Sequence, residues 1–311
     1  FQQTKALMWE ALIPPDGKFT VTGTSVKSQL HSVPACQGIC KKAIASRLGE
    51  AYLMETLPET GAEYTVKVTI LKDRVTLTVD TSGSGLHKRG YRVKTVAAPI
   101  KETLAAAMVQ LSFWNKDRVL LDPCCGSGTI AIEAAMIGRN IAPGLSRSFA
   151  CEEWEAIDKK LWKEEKKRAY DLMDDEAKLD IVAIDIDKMA IEAAKENAIE
   201  AGVDDCIRFI NADMARIKAS KPSGIIITNP PYGERIGEQK QIAAIYSKYK
   251  KFFAENPSWS MFMVTTDKDI EAKVFGRKAD RRRKLYNGRL EVCYYQFHGK
   301  KLGDKIGRAH V

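Results

Sequence analysis

The sequence predicts an α/β fold, a largely parallel sheet with crossover helices preceded by a small α+β module. Three observations carry this. From about Val96 to His298, apolar strand-like runs alternate with segments that are apolar at helical spacing, the pattern of a parallel sheet. One such run meets a helix across closely spaced glycines in "LLDPCCGSGTIAIEAA", residues 120–135, a turn that these sheets use for ligands. Ahead of that unit, residues 19–80 hold a strand, a helix and a hairpin.

Taken in order, "FTVTGTSV" reads as a strand, and a helix opens at Pro34 and closes near Gly49. "EYTVKVTILKDRVTLTVD" alternates apolar and polar on either side of Lys72-Asp73, a β-hairpin with one buried face. The loop "SGSGLHKRGYR", residues 82–92, then sets His87, Lys88, Arg89 and Arg92 beside Tyr91. Basic residues interleaved with an aromatic suit phosphates and an unstacked base. In the second unit the strands are "RVLLD", "DIVAID", "IRFINAD", "GIIITN" and "SMFMVTT". The helices between them are "GTIAIEAAMIG", "KMAIEAAKENAIEAG" and "IAAIYSKYKKFFAEN", and "RKLYNGRLEVCYYQF" closes the unit as a hairpin. Residues 152–176, dense in charge of both signs around Trp154 and Trp162, read as an exposed amphipathic helix inserted after the first crossover. The expected domains are 1–95 and 96–300. The chain opens at Phe1 in what reads as mid-domain, so the first module is expected to lack its front; residues 301–311, ending "KIGRAHV", are set aside as a non-native tail.

At 311 residues and 45% hydrophobic content the chain can bury a full core. It has no apolar run long enough to span a bilayer and no leader, which excludes a membrane protein and implies a cytoplasmic one. Seven cysteines, an odd number, argue for reduced thiols rather than a disulfide framework. Cys36 and Cys40 with His31 lack the second pair that a zinc site needs, so no metal is expected. The net charge of +9 favours a polyanionic partner such as nucleic acid.

Gly126 and Gly128 let backbone approach a ligand, and the helix that follows offers free N–H groups. Gly126-x-Gly128-x-x-Ala131 also satisfies the dinucleotide fingerprint, which keeps a nicotinamide-dependent oxidoreductase open. Asp122 and Pro123, however, intervene between strand and glycines, and a carboxylate there suits a cofactor with an ammonium and a sulfonium group. Asp185, ending "IVAID", is placed for ribose hydroxyls, and Asp213, ending "IRFINAD", for an adenine amine. All three stand at strand ends on the binding edge of the sheet.

"DPCCGSGT" together with "NPPYGER" resembles the class I S-adenosylmethionine-dependent methyltransferases that act on exocyclic amines. "GLHKRGYR" and "APIKETLAAAMV" narrow the resemblance to the THUMP-containing ribosomal RNA guanine-N2 methyltransferases, often labelled N6-adenine-specific DNA methylases; it spans about residues 10–298. It implies a Rossmann-like methyltransferase sheet behind a partial THUMP domain, with S-adenosylmethionine as cofactor. It also implies cofactor contacts from Asp122, Pro123, Cys124, Gly126, Ser127, Gly128, Thr129, Asp185, Ile186, Asp213, Met214 and Asn229, and RNA, large-subunit ribosomal RNA first, as partner. A transfer RNA guanine-N2 enzyme, an adenine-N6 DNA methylase and a non-catalytic RNA-binding protein remain alternatives.

The chemistry of "TNPPYGERIG", residues 228–237, is consistent with that resemblance. Pro230 and Pro231 end the strand and stiffen the exit. A purine amine is a poor nucleophile because its lone pair is delocalised into the ring. The Asn229 side-chain carbonyl and the Pro230 backbone carbonyl can accept its two N–H bonds and free that lone pair. Tyr232 offers a flat face to a base taken out of its stack, worth about 1–3 kcal/mol. Finally, "KVFGRKADRRRKLYNGR", residues 273–289, carries eight basic side chains against one acid; Arg281, Arg282 and Arg283 are the expected RNA track, with a solvated basic loop as the alternative.

Overall fold

The computed structural model describes residues 1–96, 99–232 and 238–301, with backbone only for 238–241. Its elements are α1 (Gln2–Lys5), β1 (Lys18–Val26), α2 (Val33–Tyr52), β2 (Glu63–Leu71), β3 (Arg74–Asp80), α3 (Glu102–Gln110), β4 (Leu120–Asp122), α4 (Thr129–Gly138) and α5 (Lys159–Asp171). They continue with β5 (Ile181–Asp185), α6 (Lys188–Glu200), β6 (Ile207–Asn211), β7 (Ile225–Thr228), α7 (Glu238–Glu255), β8 (Ser260–Thr265), β9 (Arg281–Asn287) and β10 (Leu290–Phe297). Two compact units result, one from residues 1–86 with 147–168, the other from 87–146 with 169–311. Of the tail set aside at 301–311, only Lys301 is among the described residues.

In the first unit β1 runs parallel to β2 and β2 pairs antiparallel with β3. Lys72 and Asp73, both at positive φ (50° and 62°), make the tight hairpin turn. The alternation read from the sequence is the burial pattern: Tyr64, Val66, Val68 and Ile70 are buried while Glu63, Lys67 and Leu71 are exposed. α2 runs past Gly49 to Tyr52 and stops at Leu53, which adopts the left-handed conformation.

The inserted segment departs from expectation. α5 begins only at Lys159; before it, Trp154 is 3% exposed, its ring stacked 4.8 Å from Tyr64 and its indole N–H donating to the Glu63 carbonyl at 3.0 Å. Cys151 and Trp154 thus complete the core of Phe19, Ile44, Leu48 and Val66. A large aromatic with a satisfied N–H is worth more inside than out, and the surrounding charges conceal this in the sequence.

The second unit has a seven-stranded sheet in the order β6-β5-β4-β7-β8-β10-β9. β6 to β8 are parallel, and β10 is antiparallel to both neighbours. Successive residues serve opposite faces. Leu120, Ile181, Ile225 and Phe262 join one core with α3 and α4, whereas Leu121, Val182, Ile226 and Met261 join the other with α7. Strands buried on both faces become the continuous apolar runs seen in the sequence. Strand order reverses between β4 and β7, and ligands bind outside the carboxyl ends of parallel strands at such a reversal.

Candidate active site

A cavity of about 640 Å³ opens at that edge. β4 ends in Asp122, which has no exposed surface; its Oδ1 accepts the Cys124 N–H at 3.4 Å and its Oδ2 meets no hydrogen-bond partner among the described residues. Burial, aided by the nearby Asp185 carboxylate, pushes the Asp122 carboxyl up to about 8. The chain then turns through Gly126 and Gly128, both left-handed at φ 53° and 81°, and a Cβ on Gly128 would stand 2.9 Å from that of Ala194. Only glycine fits there. Asp185, at the end of β5, holds this loop: one carboxylate oxygen accepts the Gly126 N–H at 2.9 Å and the other the Asp187 N–H at 2.9 Å. Ser127 and Thr129 are buried, and both line the cavity. Cys124 also lines it; burial pushes its thiol up to about 12, so it is no thiolate nucleophile.

Asp213 follows β6 and caps the next turn through the Ala215 N–H at 2.8 Å. Its carboxylate also takes both bonds of Lys248, 2.7 and 2.8 Å, and these contacts hold it below the usual carboxylate range. Ile186, 72% exposed, and Met214 line the same cavity. After β7, Asn229 and Tyr232 are half-buried, Pro230 is buried and Pro231 exposed. The Tyr232 hydroxyl donates to Asn229 Oδ1. Twelve cofactor candidates and the Asn-Pro-Pro-Tyr stretch were expected together; apart from Gly128, which shapes the turn, all of them line this one cavity.

The basic loop is built differently from its sequence reading. Tyr91 is 2% exposed and donates its hydroxyl to Glu133 at 3.0 Å, so its ring offers no face to a base. Arg89 is ion-paired with the same buried Glu133, and Arg92 with Glu102 at 2.6 Å. His87 is half-buried and Lys88 exposed. An alternation of cations with an aromatic looks alike whether it faces solvent or buried carboxylates. The three arginines open β9, the edge strand, which starts two residues before the hairpin read from the sequence. Arg282 is tied to Glu271 by two bonds and lies over the Tyr295 ring, whereas Arg281 and Arg283, on the other face by the two-residue period, are exposed.

Residues 89–296 match the RMKL-like methyltransferase domain family, and residues 1–80 match the THUMP domain. The chain belongs to the RMKL-like methyltransferase domain family. Its sequence is 48% identical over 304 residues to YpsC of Bacillus subtilis (strain 168), named as an RNA methyltransferase, covering 96% of this chain and 78% of that one. It is 40% identical over 248 residues to the ribosomal RNA large subunit methyltransferase K/L of Shewanella baltica (strain OS155), covering 76% of this chain and 34% of that one. The chain thus spans about a third of the K/L protein. Among solved structures, SMU.472, described as a methyltransferase complexed with SAH, superposes with a TM-score of 0.90 at 44% identity, covering 97% of this chain and 80% of that one.

In this methyltransferase domain, sequence reasoning missed Lys248 and the stretch Val96, Pro99 and Ile100, all on the cavity wall. Lys248 had a signal. It stands three residues after Ile245 and four before Phe252, on the apolar stripe of α7, where a lone lysine needs an anionic partner.

Proposed function

We propose that the protein transfers a methyl group from S-adenosylmethionine to the exocyclic N2 of a guanine in RNA, large-subunit ribosomal RNA first, in the cytoplasm. The observation that carries this is the pairing of a carboxylate-lined cavity with the Asn229-Pro230 carbonyls at the next strand end. The residues present fit the cofactor. Asp122 Oδ2, buried and without a hydrogen-bond partner among the described residues, suits an ammonium group; Asp185 and Asp213 stand at the neighbouring strand ends for ribose and adenine. The SAH in SMU.472 and the names of YpsC and the K/L protein support the same reading, as does the THUMP match. The buried Asp122 counts against a dinucleotide, whose pyrophosphate would meet a carboxylate at this turn.

The cofactor, when bound, supplies an electrophilic methyl group. Asn229 Oδ1 and the Pro230 carbonyl accept the two N–H bonds of the guanine amine, which turns its lone pair toward that methyl. Positive charge grows on this nitrogen during transfer, so the fixed acceptors favour the transition state over the ground state. The Tyr232 hydroxyl donates to one lone pair of Asn229 Oδ1 and leaves the other for the amine. The methylated ammonium is acidic and loses its proton to solvent, so no strong base is required. Incubation of the enzyme and labelled S-adenosylmethionine with undermethylated ribosomal and transfer RNA, followed by mapping, tests the proposal. N2-methylguanine in large-subunit RNA is expected; methylation of transfer RNA alone, or of adenine N6, would overturn it.

A further inference from the structure

Arg92 does not line the cavity, yet it holds two side chains that do. Its side chain is 14% exposed and its Nε is fixed by Glu102 at 2.6 Å. The rest of the guanidinium points at the glycine loop. Nη2 donates to Thr129 Oγ1 at 3.0 Å and to the Ile100 carbonyl at 2.9 Å, and Nη1 reaches Ser127 Oγ at 3.4 Å. A second buried side chain ties the same segment down. Asn197, 1% exposed, accepts the Val93 and Lys94 N–H groups at 3.0 Å each and donates to the carbonyls of Lys94 at 3.0 Å and Ser127 at 3.1 Å. Arg92, Val93 and Lys94 are thereby fastened to the glycine loop, and Arg92 also to Ile100 on the cavity wall.

The direction of these bonds matters. A hydroxyl has one hydrogen and two acceptor sites. With Arg92 donating to Thr129 Oγ1, the threonine hydrogen is left to point elsewhere, and a cation on the oxygen makes that hydrogen a stronger donor. Thr129 opens α4, where backbone N–H groups are free and the helix dipole is positive. On the same cavity wall Asp122 Oδ2, fully buried and without a hydrogen-bond partner among the described residues, can ionise to accept a cationic group. Donors at Ser127 and Thr129 beside an acceptor at Asp122 match an α-amino carboxylate.

We propose that Arg92 is a positioning residue that polarises Thr129 and Ser127 to receive the carboxylate at the amino-acid end of the cofactor. It does so from behind the wall, without touching the cofactor. The assignment rests on the methyl-donor reading above and adds to it the group that confers discrimination for the amino-acid end.

The test compares S-adenosylhomocysteine with 5′-methylthioadenosine, which keeps the nucleoside and lacks the amino-acid end, by calorimetry. Arg92→Met should weaken S-adenosylhomocysteine about tenfold or more, the worth of a charge-supported hydrogen bond, and leave methylthioadenosine unchanged. Thr129→Val, which keeps the shape and the Arg92–Glu102 pair, should show the same selective loss and decides the matter if Arg92→Met fails to fold. Equal weakening of both ligands, or of neither, in the folded variant would overturn the role of Arg92 while leaving the methyl-donor reading intact. Failure of the unmodified protein to bind either ligand would instead overturn that reading, and this inference with it.

Discussion

Asp122 has no exposed surface, and its carboxyl, ionising near 3.8 when free, is pushed to about 8 in the folded protein. Between those values the native state holds a proton that the unfolded chain has lost. The stability tied to this group therefore falls as pH rises, by at most about 1.4 kcal/mol per pH unit. Asp122→Asn removes the titration at constant shape, so in the absence of cofactor the variant should gain on the parent from about pH 5 to pH 8 in urea denaturation. A difference independent of pH would mean that the carboxyl is ionised throughout. Asn229→Ala belongs to the same scale. At saturating cofactor it should slow single-turnover methylation on the order of a hundredfold, the cost of one preorganised contact; an unchanged rate would remove Asn229 from the chemistry. These residues were legible in the sequence because each ends an apolar run, so a local pattern reports its place. The roles of Arg92 and Asn197 were not, since Thr129 lies 37 residues from the first and Val93 104 residues from the second.

Among elements, strands buried on both faces and amphipathic helices were read correctly, and α3 was passed over. Leu104, Ala105, Ala106, Met108 and Val109 are all buried, and a helix covered nearly all round has no polar face to betray its period. β9 was read as the first arm of a hairpin only from Arg283, because Arg281 to Lys284 are all exposed, with no apolar side to mark where the alternation starts. Its position as an edge strand sorts the arginines. Arg282 is already bound to Glu271, whereas Arg281 and Arg283 carry no ion pair among the described residues. If those two meet RNA phosphates, replacing both by alanine should flatten the slope of log affinity against log salt by about 1.4 at the single-strand coefficient. Arg282→Ala should leave the slope alone. Titration of one RNA fragment at several salt concentrations reads both, and equal slopes would make this strand ordinary surface.

At the scale of the whole molecule, the boundary expected at residue 95 separates segments that the fold does not separate. The first unit is discontinuous: it takes residues 1–86 and then 147–168. Trp154 and Cys151 are core residues of that unit although some sixty residues of the other unit intervene. A fragment of residues 1–95 should therefore lack cooperative unfolding, while the full chain shows it; a sharp transition in the fragment, followed by near-ultraviolet circular dichroism, would contradict this. The same discontinuity imposes an order on biosynthesis. When residue 86 leaves the ribosome, the first unit still exposes the surface that Trp154 covers, and it stays incomplete until β4 and α4 have been translated. At about 5–20 residues per second, that interval lasts several seconds, during which the nascent sheet has an open hydrophobic site to which a chaperone can bind.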